Sequence, residues 1–229
     1  YAKSWDTRFG PDISTDHFLD VRWHNFTALL DRDFQGAAAV ELGVGTAIYI
    51  ERASQIFSNI IAVDGSANML RETERRANAL GLTNVATLQA DVVSMPAIRT
   101  ESLDVAYFFG LIEHVIQTDL FVSEVKRILK PNGIVIGSAS NAKCPWYNIR
   151  RLFWGMGKHC TSDSYYTIEE IQSLFGRSGF TYEAVRYWGM VPPGLKSRTI
   201  FSILAFWEPI ISRTPLSKFL GGMTFRFRK

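Results

Sequence analysis

Five short apolar segments, separated by longer stretches with helical spacing, constrain the fold of this chain more than any other feature. Short apolar strands that alternate with amphipathic helices are typical of βαβ units, in which a parallel sheet is buried on both faces. The sequence therefore predicts an α/β fold with a doubly wound, mostly parallel sheet and helices on both faces. The apolar segments are residues 37–42, 60–63, 85–90, 103–109 and 134–137.

Helix and strand signals fill the rest of the chain. Ser66 begins a helical pattern that Gly81 ends, and Thr118 is the expected cap of a later helix that the turn at 130–133 ends. Thr167 and Glu170 have the spacing of a capping box.

The C-terminal part is less regular. Residues 197–213 are strongly apolar and predict a helix that Pro209 disturbs. The alternating residues 224–228 are typical of a final edge strand.

Composition excludes several classes of protein. Hydrophobic residues make up 47% of the 229 positions and charged residues 21%, which excludes a disordered chain. The net charge of +3 is too small to indicate a nucleic-acid partner. Two cysteines, Cys144 and Cys160, exclude a disulfide scaffold and suit a reducing compartment. No basic-then-apolar signal segment is visible, so we expect a cytoplasmic location.

A glycine-rich turn follows the first predicted strand. Gly43 and Gly45 let the backbone approach a ligand, and the N-terminus of the next helix supplies free N–H groups. A nicotinamide dinucleotide loop would have Gly or Ala where Ile48 stands. Glu41 would also lie beside the pyrophosphate, which is unfavourable for two anions. The turn therefore favours a positively charged nucleoside, with the nicotinamide alternative left open.

Two further acids end the next two predicted strands. Asp64 lies 21 residues after Gly43, and its carboxylate suits the vicinal hydroxyls of a ribose. Asp91 ends the third strand. Because the carboxyl ends of parallel strands meet at one edge of the sheet, Glu41, Asp64 and Asp91 are expected around one ligand.

These motifs resemble those of the class I S-adenosylmethionine-dependent methyltransferases, specifically the ubiquinone/menaquinone-type group. The resemblance covers about residues 37–140, and it departs from the family pattern where Ala47 replaces a common third glycine. The segments that carry it are residues 40–46, 62–70, 89–92, 103–105 with 111–115, and 125–133.

The resemblance implies a Rossmann-like sheet of seven strands whose last strand, 224–228, is antiparallel and inserted beside its neighbours. It implies S-adenosylmethionine as methyl donor, S-adenosylhomocysteine as product, and a small-molecule acceptor that is apolar, quinone-like, lipid-like or sugar-containing. Asp64 would bind the ribose and Asp91 the adenine amino group. The implied cofactor-binding residues are Glu41, Gly43, Gly45, Thr46, Asp64, Gly65, Met69, Asp91, Val92, Phe109 and Gly110.

His114 is the candidate general base, because it follows the fourth strand near the expected methyl position. The alternative is that it packs or caps the loop. His17 and His24 are expected to be ordinary packing or surface residues. Two other functional classes stay open, a nicotinamide-dependent oxidoreductase and a non-catalytic S-adenosylmethionine-binding or interaction domain.

We expect one methyltransferase domain over 1–229, with an N-terminal helical cover at 1–36 and a cofactor-binding core at 37–140. The segments 141–165 and 188–223 would be insertions that form an acceptor lid. Of the 30 Phe, Tyr and Trp residues, 24 lie outside 37–140. These rings would line the acceptor site; alternatively, they only pack the insertions onto the sheet.

Shorter sequence features bear on metals, nucleic acids and membranes as partners. Cys144, His159 and Cys160 lack the paired spacing of a structural zinc site, so no metal is expected. No RNA-binding motif is visible, so no nucleic acid is expected. Segments 148–154 and 197–213 are candidates for peripheral membrane contact, and a solvated loop face is the alternative for the first. The sequence leaves the oligomeric state open.

Overall fold

The computed structural model describes residues 13–145, 147, 164–192 and 195–229. The N-terminal residues 1–12, the segment 148–154 and the residues His159 and Cys160 lie outside this part of the chain. The strands are β1 (Ala38–Leu42), β2 (Asn59–Asp64), β3 (Val85–Gln89), β4 (Leu103–Phe109), β5 (Leu129–Ser140), β6 (Thr181–Trp188) and β7 (Gly222–Arg228). The α-helices are α1 (Ile13–Thr27), α2 (Ile50–Ser54), α3 (Ala67–Ala79), α4 (Thr118–Ile128), α5 (Ile168–Arg177) and α6 (Arg198–Ile211).

All seven strands form one sheet in the order β3-β2-β1-β4-β5-β7-β6. The pairs among β1 to β5 are parallel, whereas β7 runs antiparallel to both β5 and β6. The predicted seven-stranded sheet with an inserted antiparallel last strand is therefore confirmed. The expectation of an edge strand at 224–228 is wrong, because Phe225 pairs with Gly137 on one side and Val185 on the other.

Three local predictions need correction and one is confirmed. Thr118 is the first residue of α4 and not its cap, which is Gln117. β5 begins at Leu129, so the predicted turn at 130–133 lies within a longer strand. α6 continues through Pro209 to Ile211, because a proline in the last turn removes only one helical hydrogen bond. The capping box at Thr167 is present.

The hydrophobic core fills both faces of the sheet, and many of the C-terminal rings belong to it. Phe175, Phe225 and Phe227 are completely buried. The rings of Phe175 and Phe227 stack with their centroids 4.6 Å apart, and Phe180 packs edge-on against Phe175. For these residues the expectation that aromatics mark the acceptor site is wrong, since they pack α5 against β7 of the sheet.

Helix α1 contacts both the core of the sheet and helix α6. Phe26 on α1 is fully buried and contacts Tyr107 of β4 with ring centroids 5.2 Å apart. At the other end, the His17 Nε2 atom lies 3.0 Å from the Glu208 carboxylate of α6. His17 therefore has the packing role expected for it. In the described part of the chain, every helix is too short or too polar to cross a membrane.

We predict that Gly137→Ala destabilises the fold. A Cβ atom at this β5 position would lie 2.6 Å from ring carbons of both Phe108 and Phe225, and buried rings have little room to shift. The expected loss in the free energy of unfolding is about 1–3 kcal/mol. The matched control is Gly176→Ala on α5, whose Cβ would meet no atom within 4 Å. Urea unfolding of both variants should show a loss only for Gly137→Ala; equal midpoints would contradict the packing argument.

Candidate active site

The glycine loop connects β1 to α2 with an unusual backbone. Gly43 and Gly45 have φ values of +66° and +56°, in the left-handed region that favours glycine. A Cβ at Gly43 would also lie 2.6 Å from the Leu111 Cδ1 atom. Ala47 adopts φ +56° as well, which explains why a third glycine suits this position better than alanine.

Asp64, at the end of β2, holds this loop in place. Its Oδ2 atom accepts a hydrogen bond from the Gly45 N–H at 2.9 Å, and Oδ1 accepts from the Ser66 N–H at 2.8 Å. A carboxylate has about four lone-pair sites, so capacity remains for ligand hydroxyls. The sequence indicated a ligand-binding role for Asp64 but not this positioning role.

Glu41 lies buried beneath the loop, with only 3% of its surface exposed. The Tyr107 hydroxyl donates a hydrogen bond to Glu41 Oε2 at 3.1 Å. Burial raises the pKa of Glu41 to about 8, and it outweighs the opposing effects of Tyr107 and Arg22. Sequence reasoning treated Glu41 as an ionised carboxylate, and this needs correction: at neutral pH it is mostly protonated unless a cation is held against it.

The residues expected to bind the cofactor gather along two neighbouring cavities. The main cavity has a volume of about 710 Å³, and the adjoining cavity has about 670 Å³. Gly43, Asp64 and Leu111 line both cavities. The main cavity is also lined by Glu41, Gly45, Thr46, Met69, Phe109, Gly110 and His114, and the adjoining cavity by Gly65, Asp91 and Val92.

The adjoining cavity is open at its acidic end. Asp91 is exposed, and its Oδ1 atom accepts a hydrogen bond from the Val93 N–H at 3.2 Å. A Cβ at Gly65 would meet nothing closer than the Ala90 carbonyl oxygen at 3.9 Å. The space in front of Gly65 and Asp91 is therefore available to a ligand group.

Arg22, on α1, is a site residue that sequence reasoning missed. Its guanidinium carbon lies 5.3 Å from the Phe109 ring centroid and 5.6 Å from that of Tyr49. It lines the main cavity. A signal was present, because Phe18 and Phe26 stand four residues on either side of Arg22 and share its side of the helix.

Glu113 is the second missed residue, although it precedes His114 directly. Only 5% of its surface is exposed, and its Oε1 atom accepts a hydrogen bond from the Ser140 N–H at 2.7 Å. Burial raises the pKa of this carboxyl. His114 itself lies in a short 3₁₀ helix, Ile112–His114, with an exposed side chain at the main cavity.

Three buried polar atoms at the main cavity have no hydrogen-bond partner among the residues that the structure describes. They are Arg22 Nε, Thr46 Oγ1 and Glu113 Oε2. Buried polar atoms in folded proteins are nearly always hydrogen-bonded. The main cavity is therefore built for a ligand that carries both donors and acceptors.

The fold and this site resemble those of the class I S-adenosylmethionine-dependent methyltransferases. Residues 40–137 match the family model described as "Methyltransferase domain". The ammonium, carboxylate and ribose groups of S-adenosylmethionine include both donors and acceptors, so the cofactor fits the donor set of the main cavity.

Curated relatives match about half of the chain. The ubiquinone biosynthesis O-methyltransferase of Bartonella bacilliformis is 25% identical over 108 residues, which cover 47% of this chain and 43% of that protein. The protein with the same name from Actinobacillus pleuropneumoniae is 26% identical over 109 residues, 46% of this chain and 47% of its own. The chain thus aligns with less than half the length of these relatives.

Solved structures with low sequence identity share the fold over most of the chain. An S-adenosylmethionine-dependent methyltransferase from Mesorhizobium loti superposes with a TM-score of 0.62 and 18% identity, covering 90% of this chain and 97% of its own. The [4+2]-cyclase SpnF superposes with a TM-score of 0.66 and 17% identity, covering 94% and 80%. At these identities the likeness concerns the fold alone.

Because burial raises the pKa of Glu41, we predict that the free energy of unfolding depends on pH. The folded protein holds this proton up to about pH 8, whereas the ordinary pKa is 4.5. Wild-type stability should therefore fall, relative to Glu41→Gln, as the pH rises from about 5 to 8.5, by on the order of 3 kcal/mol. Urea unfolding across this range measures the difference. The control is Glu51→Gln at an exposed position; parallel curves for wild type and Glu41→Gln would contradict the prediction.

Proposed function

We propose that this protein transfers a methyl group from S-adenosylmethionine to a small-molecule acceptor. The observation that carries the proposal is the grouping of the glycine loop, Asp64 and partnerless buried polar atoms around one cavity of about 710 Å³. The match of residues 40–137 to the methyltransferase family supports it over the nicotinamide-dependent alternative.

Each of the proposed cofactor-binding residues suits a different chemical group of S-adenosylmethionine. The free lone pairs of Asp64 suit the ribose hydroxyls, and Asp91 suits an amino group on the base. The Arg22 guanidinium is the cation of the main cavity that can pair with a carboxylate. Glu41 would accept a cationic group and lose its proton in doing so.

Bound S-adenosylmethionine supplies an electrophilic methyl group, which an in-line displacement moves to the acceptor while the sulfonium becomes a neutral thioether. The donor is already activated, so the protein contributes chiefly alignment. Where the acceptor atom carries a proton, a base must also receive it.

A third cavity, of about 50 Å³, offers a place for the reacting end of the acceptor. Arg22, Gly110, Glu113 and Ser140 line both this cavity and the main one, so the two adjoin. Apolar walls come from Phe18 and Trp188, which pack edge-on with their ring centroids 5.1 Å apart. We propose an acceptor with a polar reacting group on an apolar body.

The names of the curated relatives support a narrower version of this acceptor. They are ubiquinone biosynthesis O-methyltransferases, and their named reaction transfers methyl to oxygen. We propose a phenol-like or quinone-like hydroxyl acceptor, with a sugar hydroxyl as the alternative.

Cofactor binding tests the proposal directly. By calorimetry, wild type should bind S-adenosylmethionine and S-adenosylhomocysteine and should not bind NAD. Asp64→Ala should weaken binding at least about tenfold, because it removes a ligand acceptor and frees the Gly45 N–H. Asp119→Ala, at an exposed acid on α4, is the control. Tight NAD binding without S-adenosylhomocysteine binding would overturn the proposal.

Proton removal is tested at two neighbouring residues. With an alkyl-tailed phenol as acceptor, His114→Ala should lower the methylation rate by about a hundredfold if His114 is the base, with cofactor affinity retained. Glu113→Gln should retain cofactor affinity and lower the rate less, since it preserves the bond from the Ser140 N–H. Near-normal turnover of His114→Ala would remove this histidine from the mechanism. Cofactor binding without turnover on any acceptor would instead favour a non-catalytic binding domain.

A further inference from the structure

Helix α6 presents a row of large apolar side chains to solvent, which we call the α6 face. Its members recur every three or four residues and therefore share one side of the helix. Their exposed fractions lie between 44% and 65%. They are Ile200, Ile203, Phe206, Trp207 and Ile210.

The opposite side of α6 is attached to the protein by a buried carboxylate. The Glu208 Oε1 atom accepts a hydrogen bond from the Gly189 N–H at 2.6 Å, and Oε2 lies 3.0 Å from His17 Nε2. The Phe201 ring packs edge-on against the His17 ring with centroids 5.5 Å apart. These contacts fix the rotation of the helix, so the α6 face points outward.

A helix that is apolar on both sides is normally buried on both sides. The exposed apolar surface also continues beyond the helix, because Leu216 and Phe219 are 57% and 43% exposed. Contiguous exposed apolar patches of this kind mark interaction sites. We therefore expect a binding partner to cover the α6 face.

The charged residues near the α6 face in the sequence indicate which kind of partner would cover it. Lys196, Arg198, Arg213 and Lys218 are all exposed. Glu208 is the only acidic residue between positions 195 and 222, and it is buried. Within the segment 195–222 the accessible charge is thus entirely positive. A twofold contact between two copies would bring these cations together, whereas an anionic lipid surface would attract them.

We propose that the α6 face docks on the surface of an anionic lipid bilayer. The helix has 14 residues, fewer than the roughly 20 that a spanning helix requires, so it would lie in the plane of the interface. Phe206 and Trp207 would enter the boundary between headgroups and acyl chains, and the flanking lysines and arginines would contact lipid phosphates. This inference does not depend on the proposed methyl transfer.

Docking in this orientation would place the bilayer on the side of α6 that faces away from the cavity of about 50 Å³. Gly189, which holds Glu208, follows β6 directly, and its carbonyl oxygen accepts a hydrogen bond from the Gly221 N–H. Trp188 and Gly221 both line the cavity of about 50 Å³. These contacts place the cavity on the protein side of α6, next to the helix that would dock.

Vesicle sedimentation with the full 229-residue chain tests the proposal. The protein should sediment with phosphatidylglycerol-containing vesicles, less with pure phosphatidylcholine vesicles, and less at high salt. The double variant Phe206→Ser/Trp207→Ser should bind at least about tenfold more weakly, and Arg213→Glu/Lys218→Glu should lose the preference for anionic lipid. Leu80→Ser, an exposed apolar position at the end of α3, is the matched control and should bind like wild type.

Thermal unfolding and S-adenosylhomocysteine binding of each variant separate lost docking from lost folding. Vesicle binding that is unchanged in Phe206→Ser/Trp207→Ser would overturn the proposal. So would a wild-type chain that ignores vesicles but forms a dimer in analytical ultracentrifugation that the same variant dissociates, because a second copy would then cover the α6 face.

Discussion

The site depends on one carboxylate that joins two turns of the sheet edge. Asp64 accepts hydrogen bonds from Gly45, in the loop after β1, and from Ser66, which caps α3. These bonds fix the two loops relative to each other. The left-handed glycines gain a defined position from this contact, because neither Gly43 nor Gly45 has a side chain that could anchor the loop. A ligand held by Asp64 would therefore share these two oxygen atoms with the loop contacts.

The sheet and the acidic residues of the site could be predicted from sequence because both signals are local. Short apolar runs identify buried strands, and parallel strands bring their carboxyl ends to one edge. Asp64 and Asp91 needed no tertiary information beyond that rule. Arg22 and Glu113 could not be assigned without tertiary information. The role of Arg22 depends on where α1 docks. The role of Glu113 depends on which of two adjacent polar residues, Glu113 or His114, turns inward. Spacing places Arg22 on the side of α1 that carries Phe18 and Phe26, but it does not show where that helix docks.

Position in the sheet also explains the errors about β7. Residues 224–228 alternate in polarity as an edge strand does, yet the strand is buried on both sides of the sheet. Its polar members have partners inside the protein: Thr224 Oγ1 lies 2.8 Å from Ser138 Oγ and accepts from the Trp188 indole at 2.8 Å, and Arg226 pairs with Asp31. Buried polar residues with partners cannot be told from exposed ones by alternation alone.

The electrostatics of the main cavity follow from burial and favour a cationic ligand. Glu41 and Glu113 are both almost completely buried, and desolvation raises the pKa of each. One guanidinium, that of Arg22, lowers both pKa values without overcoming the desolvation. The protonated Glu41 carboxyl can balance a bound positive charge by releasing its proton, so little unpaired charge is buried at any stage. A sulfonium nucleoside carries such a positive charge, in agreement with the family that the glycine loop resembles.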